Sequence, residues 1–160
     1  MITRARPQLS LKGRALRYLS QREHSRSELE RKLARHTEDP EEIPRVLDDL
    51  QAKGFIDHQR VADSVVHRKA GRLGAMRIAQ ELKSIGVEAP LVAAAVAQLR
   101  TTEAERAREV WRRKFDTAPK DASERAKQAR FLAARGFPGA VIAQVLRSAG
   151  AAGDDAEWSL

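Results

Sequence analysis

Residues 82–99 read LKSIGVEAPLVAAAVAQL, and their apolar spacing recurs in residues 33–50, LARHTEDPEEIPRVLDDL, and in residues 132–149, LAARGFPGAVIAQVLRSA. The anchors Leu33, Leu82 and Leu132 stand 49 and 50 residues apart. Ten positions beyond them lie Ile43, Val92 and Ile142; thirteen beyond, Val46, Ala95 and Val145. Fourteen beyond lie Leu47, Val96 and Leu146; seventeen beyond, Leu50, Leu99 and Ala149. Offsets of three and four put these side chains on one helix face. Five columns aligned without a gap in three copies describe a repeat.

Working outward, each copy has a preceding helix with its own apolar stripe: Ala15, Leu16 and Leu19; Val61, Ala62, Val65 and Val66; Ala107, Val110, Trp111 and Phe115. The unit is therefore three helices in about 45 residues. So small a unit buries little surface alone, and tandem copies gain by sharing interfaces. The predicted fold class is all-α: three tandem three-helix repeats forming an elongated array that can curve. The expected division is a flexible N-terminal arm 1–10, repeats 11–57, 58–100 and 101–149, and a flexible acidic tail 150–160.

Punctuation places the helices at 11–23, 26–36, 40–53, 58–70, 75–85, 89–100, 103–115, 122–135 and 138–148. Ser25 and Glu28 form a capping box. Asp39-Pro40 offers an Asp cap with Pro at the first helical position. Thr102 to Glu105 and Asp121 to Glu124 repeat the cap logic, Asp57 caps a further helix, and Pro138 opens the last. Gly54, Gly86 and Gly136 stand where left-handed C-caps end helices. Composition agrees: Ala occurs 27 times, aromatics make up 4%, and strand-like Val, Ile and Thr runs are missing.

The chain of 160 residues has no Cys, which excludes a disulfide scaffold, a Cys-ligated zinc and a thiol nucleophile. No run of 18 apolar residues and no secretory leader is present, so a cytoplasmic protein is expected. Thirty Lys and Arg against 22 Asp and Glu give a net charge of +8, favouring an anionic partner. Residues 1–35 carry ten bases and three acids, whereas 36–57 carry two bases and seven acids. Four His without an i, i+4 pair, and no Gly-rich phosphate loop, leave catalysis, metals and cofactors unsupported.

At this point the sequence resembles the RecX family, bacterial modulators of the RecA recombinase. The resemblance rests on Lys53-Gly54-Phe55-Ile56-Asp57, then Ala62, Arg68, Ile78, Leu82 and Gly86-Val87. Glu28-Leu29 and Lys32-Leu33 match ahead of it; Arg130-Phe131-Leu132, Arg135-Gly136-Phe137 and Val141-Ile142 match behind. His58 stands where the family usually has a second acid, and Val61 where it usually has an aromatic. The resemblance covers residues 11–149. It implies a non-enzymatic regulator that binds the RecA–DNA filament and inhibits strand exchange, ATP hydrolysis and coprotease action. The partners expected are that filament and single- or double-stranded DNA, bound weakly and without sequence preference. A monomer is expected, and no membrane.

The candidate DNA- or filament-binding residues are basic: Arg22, Arg26, Arg31, Lys32 and Arg35 in the first repeat; Arg68, Lys69, Arg72, Arg77 and Lys83 in the second; Arg112 and Arg113 in the third. Around Leu29 and Leu33, Arg31 and Arg35 point away from the core, and Arg26 and Lys32 flank it. They read either as phosphate or filament contacts or as a solvated face balanced by Glu28 and Glu30. Trp111 and Phe115, four apart, read as core rather than as base-stacking platforms. Trp158 is either an exposed accident or a docking residue. The alternative function is an autonomous DNA-binding regulator with helix-turn-helix-like units. Against it, the helix from 40 carries Glu41, Glu42, Asp48 and Asp49, which phosphate would repel.

Overall fold

The computed structural model describes residues 8–157. Among them are nine α-helices and no strand. Helices α1 (Leu11–Gln21), α2 (Arg26–Leu33) and α3 (Glu42–Ala52) form the first repeat. Helices α4 (His58–Lys69), α5 (Ala75–Ser84) and α6 (Ala89–Arg100) form the second, and α7 (Glu103–Lys114), α8 (Ala122–Ala134) and α9 (Gly139–Glu157) the third.

Each repeat closes its own core. Leu29, Leu33, Leu47, Leu50 and Ile56 centre the first; Val61, Ile78, Leu82 and Leu99 the second; Trp111, Leu132, Phe137 and Val145 the third. The anchors Leu33, Leu82 and Leu132 are fully buried, as their place in the repeat requires. The Ser25–Glu28 capping box forms, and Asp57 and Asp121 cap α4 and α8 through their side chains. Gly54, Gly86 and Gly136 adopt positive φ.

Four local expectations are corrected. Thr102 does not cap α7: its hydroxyl donates to Leu99 O and accepts from Arg106 Nε instead. Helix α2 tightens into a 3-10 turn over Ala34–His36. Helix α3 starts at Glu42, because Thr37 and Asp39 fold the chain ahead of it into a turn: Asp39 N–H donates to Thr37 Oγ1 and Glu41 N–H to Asp39 Oδ1. Finally, α9 runs on to Glu157 rather than giving way to a flexible tail at 150. Gly150 lacks the positive φ of a C-cap, and alanine-rich sequence carries the helix on. Most of the expected N-terminal arm, and Trp158, lie outside the described residues.

The two junctions between repeats share one geometry. The N-terminus of α2 meets the C-terminus of α5, where the Ser25 hydroxyl donates to Ile85 O. The N-terminus of α5 meets the C-terminus of α8, where Gly74 N–H donates to Arg135 O at 2.7 Å. The three middle helices thus follow one another head to tail, with a positive helix end set against a negative one each time. Two of the left-handed glycines sit in these seams: a Cβ on Gly86 would strike Ser27, and one on Gly136 would strike Arg77.

Candidate functional site

Placing the cations separates those used by the fold from those left to solvent. In the first repeat Arg22 pairs with Glu28 at 2.6 Å, and Arg26 with Asp48 at 2.7 Å and Glu30 at 3.4 Å. Lys32 donates to His24 Nε2 at 2.9 Å and lies 4.8 Å from the Tyr18 ring centroid. His24 is fully buried rather than on the surface, and its Nδ1 donates to Arg22 O. Burial and the neighbouring Arg22 and Lys32 charges hold its pKa below the ordinary histidine value. Burial alone would raise the Glu28 pKa, but Arg22 and the Ser25 N–H outweigh it and hold the carboxylate low. That leaves Arg31 and Arg35 exposed, without a carboxylate partner among the described residues.

In the second repeat Lys69 pairs with Glu81 at 2.5 Å. Arg77 reaches across the seam to Ala134 O at 3.3 Å and packs under Gly136, so it belongs to the junction. Arg68, Arg72 and Lys83 are exposed and make no ion pair among the described residues. In the third, Arg112 pairs with Glu109 at 2.6 Å, while Arg113 donates to Gly71 O at 2.7 Å, again across a junction.

This last contact brings together residues distant in sequence. Arg72 and Arg113 meet Lys114 and Arg135 around Phe131, between the second and third repeats. The twelve candidates do not include Lys114, Arg135 or Phe131. The available signal was the i, i+4 pair Phe131 and Arg135 on the last turn of α8, beside the buried anchor Leu132. Trp111 is core, as expected, and its Nε1–H donates to Gln128 Oε1 at 2.8 Å. Arg106 is a further residue that sequence reasoning passed over. Its guanidinium donates to the carbonyls of Ala70, Leu73 and Leu99 at 2.7–2.9 Å, and burial lowers its pKa from an already very high value.

Part of the acidic segment is used within the fold. Asp49 lies between Lys12 and Lys53, whose ammonium groups hold its carboxylate below the usual range. Glu41, at the N-terminal cap of α3, and Glu42 and Asp48 within it are exposed, so α3 presents negative charge outward. Among the described residues no group of three His, Cys, Asp or Glu side chains could hold a metal ion. No described helix is long and apolar enough to cross a membrane.

Three stretches match the RecX family in order. Residues 12–50 match its first three-helix domain, 57–96 its second and 101–146 its third. The chain is 61% identical over 144 residues to the regulatory protein RecX of Leptothrix cholodnii, covering 90% of this chain and 92% of that one. It is 47% identical over 152 residues to the regulatory protein RecX of Ralstonia nicotianae, covering 95% and 96%. The crystal structure of RecX from Lactobacillus salivarius superposes with a TM-score of 0.74 at 19% identity, covering 88% of this chain and 94% of that one. That last likeness is one of fold.

Proposed function

From the RecX family, to which the chain belongs through all three of its domains, we propose that it binds the RecA–DNA filament and inhibits its recombinase, ATPase and coprotease activities. The match of three regulatory domains in their family order carries this reading. The exposed cations Arg31, Arg35, Arg68, Arg72 and Lys83, which make no ion pair among the described residues, support it, since a nucleoprotein filament is polyanionic. In this reading the protein is a cytoplasmic monomer without cofactor, and not an enzyme. It touches DNA weakly through phosphates and without base readout, because α3 turns carboxylates outward.

DNA-dependent ATP hydrolysis by RecA is the test, with and without this protein at substoichiometric ratio. Hydrolysis falls if the reading holds; an unchanged rate refutes it. Charge reversal, Arg31→Glu with Arg35→Glu, is expected to weaken inhibition at unchanged helix content. Arg77 is unsuited to such a test, because its reversal would disturb the junction with α8.

A further inference from the structure

We propose that the cleft between the second and third repeats is a seat for the phosphodiester backbone of a single nucleic-acid strand, held by Arg72, Arg113, Lys114 and Arg135. The proposal deepens the regulatory reading above and rests on it for the presence of DNA.

The cleft has a volume of about 220 Å³. Gly71 and Arg72 form one wall, Arg113 and Lys114 a second, and Phe131 with Arg135 the third. No Asp or Glu lines it, and none of its four cations makes an ion pair among the described residues. Two of them are held on an aromatic ring: Arg135 lies 4.8 Å and Lys114 5.6 Å from the Phe131 centroid. Phe115 packs edge-on against the same ring at 5.3 Å. Arg113 is fixed from the other side by Gly71 O at 2.7 Å. Three of the four cations are thus positioned before any ligand arrives, and the mutual repulsion of the four is left uncompensated.

The repeat supplies an internal comparison. The seam between the first and second repeats has a cleft at the corresponding place, lined by Arg22, Glu23, Glu28, Arg68, Glu81 and Ile85 among others. Relative to the cap residues Ser25 and Gly74, Glu23 corresponds to Arg72. Relative to the anchors Leu82 and Leu132, Glu81 corresponds to Phe131 and Ile85 to Arg135. Relative to Asp57 and Thr102, the residues that precede α4 and α7, Arg68 corresponds to Arg113. There most of the charge is neutralised within the protein, Arg22 by Glu28, Arg60 by Glu23 and Lys69 by Glu81, and of the arginines lining that cleft Arg68 is left without an ion pair among the described residues. The same architecture therefore does not need a cationic cleft. At the second seam the carboxylates at two corresponding positions give way to a cation and an aromatic ring, and the positive charge is left for a ligand. Three arginines offer planar forks suited to phosphate oxygens, and the cleft is open to solvent, so an extended backbone can lie along it.

The test uses the full chain and a fluorescent oligodeoxythymidine, with anisotropy read across a salt series. The variant Arg72→Gln with Lys114→Gln removes two cations whose head groups make no hydrogen bond among the described residues. If each meets one phosphate, the log–log salt slope shrinks by about 1.4, and affinity near 0.1 M salt falls about 25-fold relative to a 1 M reference. The variant Arg45→Gln with Lys53→Gln removes the same charge from α3 and its C-terminal cap and is expected to change little. Circular dichroism confirms that both stay helical. Equal affinity of the cleft variant and the parent, or equal losses in the two variants, overturns the proposal. So does displacement of the oligonucleotide by polyglutamate at matched charge, or by inorganic tripolyphosphate at matched phosphate, as readily as by unlabelled oligonucleotide. RecA ATPase inhibition is measured alongside. A parent that binds through the cleft but does not inhibit refutes the regulatory reading alone. A parent that inhibits while the cleft variant binds DNA normally refutes the cleft alone.

Discussion

Replacing Gly74 by Ala tests whether the seam between the second and third repeats is a close-packed joint. Gly74 has φ −77°, a conformation any residue adopts, so the substitution carries no backbone strain of its own. The added Cβ would lie 2.6 Å from Phe137 N and closer still to the Gly136 carbonyl, where ordinary contact begins at 3.4 Å. Both neighbours are backbone and cannot rotate away, so the repeats must part by about 1 Å, an overpacking cost of about 1–3 kcal/mol. Parting them breaks the bond from Gly74 N–H to Arg135 O. A buried donor losing its partner adds about 1–3 kcal/mol, for a total of about 2–6 kcal/mol. Two companions isolate the cause. Gly71→Ala meets nothing within 4 Å and has no positive φ, so it is expected to be neutral or to stabilise by up to about 1 kcal/mol. Gly54→Ala also meets open space but at φ +80°, and should lose about 1–2 kcal/mol from strain alone. Urea unfolding followed by circular dichroism ranks the three. If Gly74→Ala is as stable as Gly71→Ala, the seam is not packed as described. The cleft assignment then weakens too, because Arg72 and Arg135 face each other across that seam.

Further outcomes follow from single residues. His24 binds its proton less readily in the fold than its ordinary value of 6.5, so the unfolded chain takes up the proton first as pH falls. Stability from this site is complete above 6.5 and declines below it, by at most about 1.4 kcal/mol per pH unit. Melting of the parent and of His24→Gln, compared between 6.5 and 4.5, should show the steeper slope in the parent, because His36, also held below its ordinary value, contributes equally to both. Arg106→Lys replaces a fork that reaches three carbonyls by a single ammonium, and should cost about 1.5–3 kcal/mol for each charged hydrogen bond lost; equal urea midpoints would refute that role. Gln128→Leu leaves the Trp111 N–H and Thr117 O without partners, at about 1–3 kcal/mol, read by urea unfolding and by a change in tryptophan emission.

What the sequence determined by itself is what local periodicity and caps control. The five apolar columns identify the buried anchors Leu33, Leu82 and Leu132, because a helix face has only one core to enter within its own repeat. Ser25, Asp57, Asp121 and the three left-handed glycines set helix ends, because capping acts within a few residues. The charge excess was equally legible, but its use was not. Arg26 and Arg31 stand five apart on one helix, yet one pairs with Asp48 and the other meets solvent. That difference depends on where α3 packs. His24 looks like any surface histidine until α1 and α2 close around it. Gly74 and Gly136 meet, and Arg72 faces Arg135, across more than sixty residues of chain. Only the docking of one folded repeat on the next sets these contacts, since each pair lies in different repeats and no local pattern links its two members. The tertiary structure therefore decided which cations the fold consumes and which remain for a partner.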